Sequence, residues 1–125
     1  MKGCVVVQEY EIEFYSRPDG SEPAKEFILG LDKKMQAKTL RTISLLREAG
    51  PSLREPYSKL LDDGIFEIRA KFGSDITRVL YFFVVGKKVV LTNGFVKKTQ
   101  KTPLAEITLA KQYRADYLTR RETLE

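Results

Sequence analysis

The sequence predicts an α+β domain: an antiparallel sheet of about four strands, an N-terminal helical hairpin packed on one face, and a C-terminal helix, in the order βααβββα. Three observations carry this. From Ile65 onward, three runs rich in Val, Ile, Phe and Tyr are separated by Gly-bearing turns, the pattern of a hairpin-linked meander. Two segments with apolar residues at helical spacing come before it, and a third follows a short basic run after it. Helices and antiparallel strands grouped in this way form a layered sandwich, here with one sheet face left open.

The first strand is Tyr10 to Tyr15, YEIEFY, in which apolar and acidic residues alternate. SRPDG, Ser16 to Gly20, is a turn by composition. Ser21 then has the layout of an N-cap, with Glu22 in the first turn and Pro23 where a missing N–H costs nothing. Ala24, Phe27, Ile28 and Leu31 make the inner stripe of this first helix, and Gly30 breaks it. A second helix, Asp32 to Ala49, turns Met35, Leu40, Ile43 and Leu46 inward and Lys33, Lys34, Lys38, Arg41 and Arg47 outward. It stops at Gly50-Pro51. Pro51 to Gly64 reads as a connector anchored by Leu60 and Leu61.

The register of the meander decides where its charges point, because a one-residue slip moves every side chain to the other face. A two-residue loop, Gly86-Lys87, pairs Val84 with Val89, Leu80 with Asn93 and Arg78 with Phe95. A first hairpin turning at Phe72 to Asp75 pairs Lys71 with Ile76, Arg69 with Arg78 and Glu67 with Leu80. Glu67, Arg69, Arg78, Phe95 and Lys97 then share one face. Phe66, Ile68, Val79, Tyr81, Phe83 and Val90 share the other, under the helices. Thr102 caps and Pro103 starts the last helix, whose inner stripe is Ile107, Ala110, Tyr113 and Tyr117 and which frays from about Thr119.

A chain of 125 residues is one domain with room for a core that needs no metal or disulfide, and the single Cys4 has no partner for an internal bridge. No apolar run reaches spanning length and no signal-peptide pattern is present. A reduced cytoplasmic setting, with no membrane association, is therefore the expectation. Histidine is absent, which removes the usual proton-transfer group near neutral pH and the common Cys/His zinc sites. The net charge is +5. From Gly94 to Arg121 seven bases face two acids, so this segment alone matches that net charge and is where an anionic partner would meet the chain.

KLLDDGIFEIR, TRVLYFF, and VLTNGFVKKTQKTP followed by EITLAKQYRADYL together resemble the phage-derived, HigB-like branch of the RelE/ParE toxin superfamily, over roughly Tyr10 to Leu118. The resemblance implies a type II toxin: an endoribonuclease that cuts mRNA, commonly on the ribosome, without a cofactor or metal, and is silenced by a cognate helix-turn-helix antitoxin. By motif match the catalytic residues fall on Glu67, Arg69, Arg78 and Lys97, with Lys98 and Lys101 beside them. The superfamily also holds gyrase poisons without nuclease chemistry. Some relatives use a His or a C-terminal Tyr for proton transfer. This chain has no His, and Tyr113 and Tyr117 lie on the inner stripe, so that role does not carry over.

Metal-free RNA cleavage needs charge stabilisation at a phosphate and a proton acceptor for the attacking 2′-hydroxyl. A guanidinium such as Arg78 holds two phosphate oxygens at once. Glu67 or a lysine is the acceptor. Lys97, Lys98 and Lys101 suit backbone and ribosome contacts, Phe95 a stacked base, and Lys59 and Lys71 the outer rim of an RNA site. Each residue also has a purely structural role available: Glu67 can form an ion pair with Arg69 or Arg78, Phe95 can join the core, and the lysine run can be a solvated segment. A non-toxic nucleic-acid-binding module is the alternative outside the toxin class.

Overall fold

The computed structural model describes residues 9–96 and 101–124. In chain order these form β1 (Glu11–Phe14), α1 (Pro23–Leu29), α2 (Lys33–Ala49), a short 3₁₀ turn (Gly50–Ser52), β2 (Ser58–Asp62), β3 (Ile65–Phe72), β4 (Asp75–Val84), β5 (Lys88–Val96) and α3 (Leu104–Leu124). The fold is α+β, as predicted, but the sheet has five strands, ordered β1-β5-β4-β3-β2, and it is mixed. β1 runs parallel to β5 at one edge, while the remaining pairs are antiparallel.

Both departures from a four-stranded antiparallel sheet have a physical origin. The connector predicted at Pro51 to Gly64 contains β2, an edge strand whose Leu60 points outward at 55 % exposure and so breaks the alternation that marks strands. Its turn is Asp63-Gly64, with φ of 48° and 77°, the positive pair that a two-residue primed hairpin demands. The direction of β1 depends on the path of α1 and α2 across the sheet between its two edges, and alternation within a strand carries no such information.

Two cores result. Ala24, Ile28, Ile43 and Leu46 from α1 and α2 pack on Ile68, Val79, Tyr81, Val89 and Leu91. On the opposite face, Ala110 and Tyr113 of α3 pack on Tyr15, Ile65, Leu80, Phe82 and Val90. The sheet face expected to be open is therefore largely roofed by α3. Leu40 points outward at 44 % exposure, while Thr39 and Thr42 take the inner positions and return their hydroxyls to the carbonyls of Met35 and Lys38. Ser21 does not cap α1. Its hydroxyl bonds Asp19, and Glu22 occupies the cap position without a side-chain bond. α3 continues through Leu124 rather than fraying from Thr119. Among the described residues, no helix is long and apolar enough to cross a membrane.

The meander register agrees with prediction where it matters, through two offsetting departures. β3 and β4 pair as expected, Arg69 opposite Arg78 and Lys71 opposite Ile76. Between β4 and β5 the loop is one residue longer, Val85-Gly86-Lys87, so Val84 pairs with Lys88 rather than Val89 and Val90 faces α3. A bulge then sets Leu80 against both Thr92 and Asn93, with the Thr92 hydroxyl donating to the Leu80 carbonyl at 3.1 Å. Beyond it, Arg78 lies opposite Phe95 as the shorter loop would have placed it.

Burial leaves a measurable mark on two phenols. Tyr81 is pushed up to about 12 by burial, partly opposed by its hydrogen bond with Ser58. Tyr15 also rises to about 12, through burial and then the adjoining Asp116 carboxylate. The folded state thus favours the neutral phenols. Their contribution is complete below pH 10 and is lost as pH climbs from about 10 to 12, at roughly 2–3 kcal/mol for a two-unit shift. Urea unfolding across that window should show stability falling, and Tyr81→Phe should flatten the fall because its ring stays and its titration goes.

Candidate functional site

Side-chain alternation along β3 sends Glu67 and Arg69 to the α3 side of the sheet, and the β4 register brings Arg78 beside them. Thr102, two residues before α3, closes over the group. Glu67 is fully buried. Its Oε2 accepts a hydrogen bond from Arg69 Nε at 2.5 Å and lies 3.5 Å from Arg78 Nη1. Its Oε1 accepts from the Thr102 hydroxyl, which itself accepts from Arg78 Nη1 at 3.1 Å. A buried carboxylate survives in this setting because every bond it receives is charge-assisted or relayed from a charged donor.

The two arginines that sequence reasoning set side by side do converge, but they differ in reach. Arg78 is 1 % exposed, so it belongs to the interior and not to an open sheet surface. The reason is the α3 roof, which strand periodicity alone does not reveal. Arg69 keeps 18 % of its side chain exposed, and its Nη1 lies 3.8 Å from Glu55, which sits well out in solvent. With both oxygens engaged, Glu67 aims Arg69 rather than offering an open proton-accepting site.

Arg69 forms a wall common to two clefts. The smaller, about 180 Å³, is bounded by Lys59, Leu61, Glu67, Lys101, Thr102 and Ile107. The larger, about 540 Å³, lies between α2 and the end of β3 and is lined by Lys38, Tyr57, Lys71 and Ile76 among others. Lys59, Lys71 and Lys101 are exposed at these rims. Phe95 instead packs against the α3-side core, where a half-buried ring is more useful than at a wet surface. Lys97 and Lys98 lie outside the described residues.

The bases of α3 are mostly committed elsewhere. Lys111 pairs with Asp62, Arg114 with Asp63 at 2.7 Å, and Arg120 with Asp116 at 2.7 Å. These contacts fasten α3 to the end of β2, to the turn after it and to itself, and set those three bases against carboxylates. Three residues there escaped sequence reasoning. Thr102 was expected to cap α3, Lys38 to be a solvated helix base, and Tyr57 was hidden in a connector. The only signal for Tyr57 was an aromatic beside Pro56, just ahead of a strand-like run.

Such an arrangement can hold an anion at Arg69 with further cations on either side. A profile of the phage-derived Gp49-like proteins (DUF891) matches residues 26–115, from within α1 into α3, and spans every site residue named above. No curated protein matches the chain. On the extent of that profile match, the chain belongs to the Gp49-like family of phage-derived proteins, a RelE-like toxin family.

Proposed function

We propose that this protein is the toxin of a toxin–antitoxin pair and that it cleaves mRNA at a phosphate held by Arg69, with the ribosome presenting the strand. The observation that supports it most is a partly exposed guanidinium, braced by a buried carboxylate, standing between two lysine-rimmed clefts. In the reaction the 2′-hydroxyl gives up its proton and its oxygen attacks the adjacent phosphorus. The bond from phosphorus to the 5′ oxygen breaks, a 2′,3′-cyclic phosphate forms, and the departing 5′ oxygen takes up a proton. Arg69 stabilises the charge that builds on the non-bridging oxygens. The 2′ proton passes to solvent water, while Lys59 and Lys101, which line the same small cleft, meet the strand as ammonium groups. DNA lacks that hydroxyl, so the chemistry selects RNA. Arg78 and Glu67 hold Arg69 in place, and a helix-turn-helix antitoxin silences the toxin by covering this side.

A brief pulse of expression followed by primer extension on cellular mRNA tests the reading. New 5′ ends appearing with growth arrest support it. Arrest with intact mRNA would instead indicate a toxin acting on a protein such as gyrase, and harmless expression a non-toxic nucleic-acid-binding module.

Electrostatic contact predicts a salt effect. Replacing Lys59 and Lys101 together with Gln should flatten the dependence of log K on log salt by about 1.4, the share of two phosphate contacts on single-stranded RNA. RNA binding titrated over a salt series measures it.

A further inference from the structure

β3 outruns its neighbour. β2 begins at Ser58 opposite Ile68, and the Arg69 N–H still reaches the Tyr57 carbonyl at 2.8 Å. Before that the chain turns away, since the N–H groups of Tyr57 and Ser58 both bond back to the Arg54 carbonyl. Antiparallel strands alternate the side on which each residue's backbone groups point. Lys71 therefore directs its N–H and carbonyl the same way as Arg69, to an edge where no strand lies among the described residues. This edge opens into the larger cleft. Its lining carries Lys38, Arg69 and Lys71 and no carboxylate among the described residues, and the Tyr57 side chain stands on it 46 % exposed. Its volume, about 540 Å³, falls within the range of roughly 300–1,000 Å³ typical of small-molecule sites.

From these features we infer that the cleft between α2 and the end of β3 is a nucleobase subsite, taking the nucleotide next to the phosphate on Arg69. The Tyr57 ring stacks on the base, as aromatic side chains do in single-strand binders. The Lys71 backbone offers one donor and one acceptor to the base edge. Lys38 and the Lys71 ammonium meet the neighbouring phosphate. A neutral protein segment would match the apolar walls but would bring no counter-charge to the Lys38 and Lys71 ammonium groups, whereas a nucleotide supplies both an apolar ring and an anion. The inference rests on the RNA-cleaving reading, since Arg69 fixes which nucleotide enters, and it makes this cleft the one that sets sequence preference.

The test is equilibrium binding of purified protein to a short 2′-O-methyl oligoadenylate, which cannot be cleaved, and to a 2′-O-methyl abasic ribose-phosphate chain of equal length. Wild type should favour the base-bearing chain by roughly 5- to 150-fold, the span that one stacked base supports. Tyr57→Ala should bind both chains alike, and Tyr57→Phe, which keeps the ring, should restore the preference. Arg69→Gln should weaken both chains by the same factor. If wild type shows no preference, or Tyr57→Ala retains all of it, the base subsite is wrong while the phosphate reading stands. If wild type binds neither chain, the subsite is wrong as an RNA-binding element of this protein, while the cleavage reading, in which the ribosome presents the strand, stands or falls on primer extension.

Discussion

Glu67→Ala should destabilise the fold by about 3–5 kcal/mol, the cost of leaving a buried guanidinium without its counter-charge. Two positive groups would then face each other across β3 and β4 without the carboxylate that lies between them. Arg78→Ala should cost less, because Glu67 keeps its bonds from Arg69 and Thr102. The double variant Glu67→Leu with Arg78→Met should recover most of the loss, since apolar side chains of similar volume need no compensation for lost water. Urea midpoints at constant slope would rank the three. A Glu67→Ala protein as stable as wild type would mean that the cluster does not hold α3 to the sheet.

This ranking alters what a variant at Arg78 can report. Growth inhibition lost in Arg78→Ala would follow from a weakened fold as readily as from a missing phosphate contact, so Arg78 alone is a poor probe of chemistry. The ambiguity comes from a layer that the sequence only half disclosed. Alternation in β3 and β4 was enough to place Glu67, Arg69 and Arg78 on one face, and helical spacing was enough to give α3 its inner stripe of Ile107, Ala110, Tyr113 and Tyr117. What spacing cannot supply is where that stripe docks. It packs over the charged side of the sheet, fixed by Lys111 and Arg114 reaching Asp62 and Asp63 on a β2–β3 turn that was itself read as loop. The same gap explains Tyr57, whose position follows from β2 being a strand. The loop before β5 was misjudged by one residue, yet the bulge at Leu80 restored the pairing of Arg78 with Phe95. Local pattern therefore found the face that carries the charged cluster, and only long-range packing showed which of its arginines stays partly exposed.

Arg69→Ala should abolish growth arrest and lower RNA cleavage by about 10²–10³-fold, the usual loss when one donor to a developing oxyanion is removed. Stability should change less than in Glu67→Ala, because the buried carboxylate retains Thr102 and Arg78 and the vacated space opens to solvent. Arg69→Lys should recover only part of the rate: the charge returns, but a point ammonium cannot hold two phosphate oxygens and accept direction from Glu67 together. The compensated Glu67→Leu, Arg78→Met protein completes the comparison. It should fold, keep Arg69, and still cleave more slowly by up to about 10²-fold, since an unbraced guanidinium wanders by an ångström or so. Single-turnover cleavage alongside urea midpoints separates the cases. Full activity in Arg69→Ala would remove Arg69 from the chemistry, and full activity in the compensated protein would show that its bracing by Glu67 has no catalytic role.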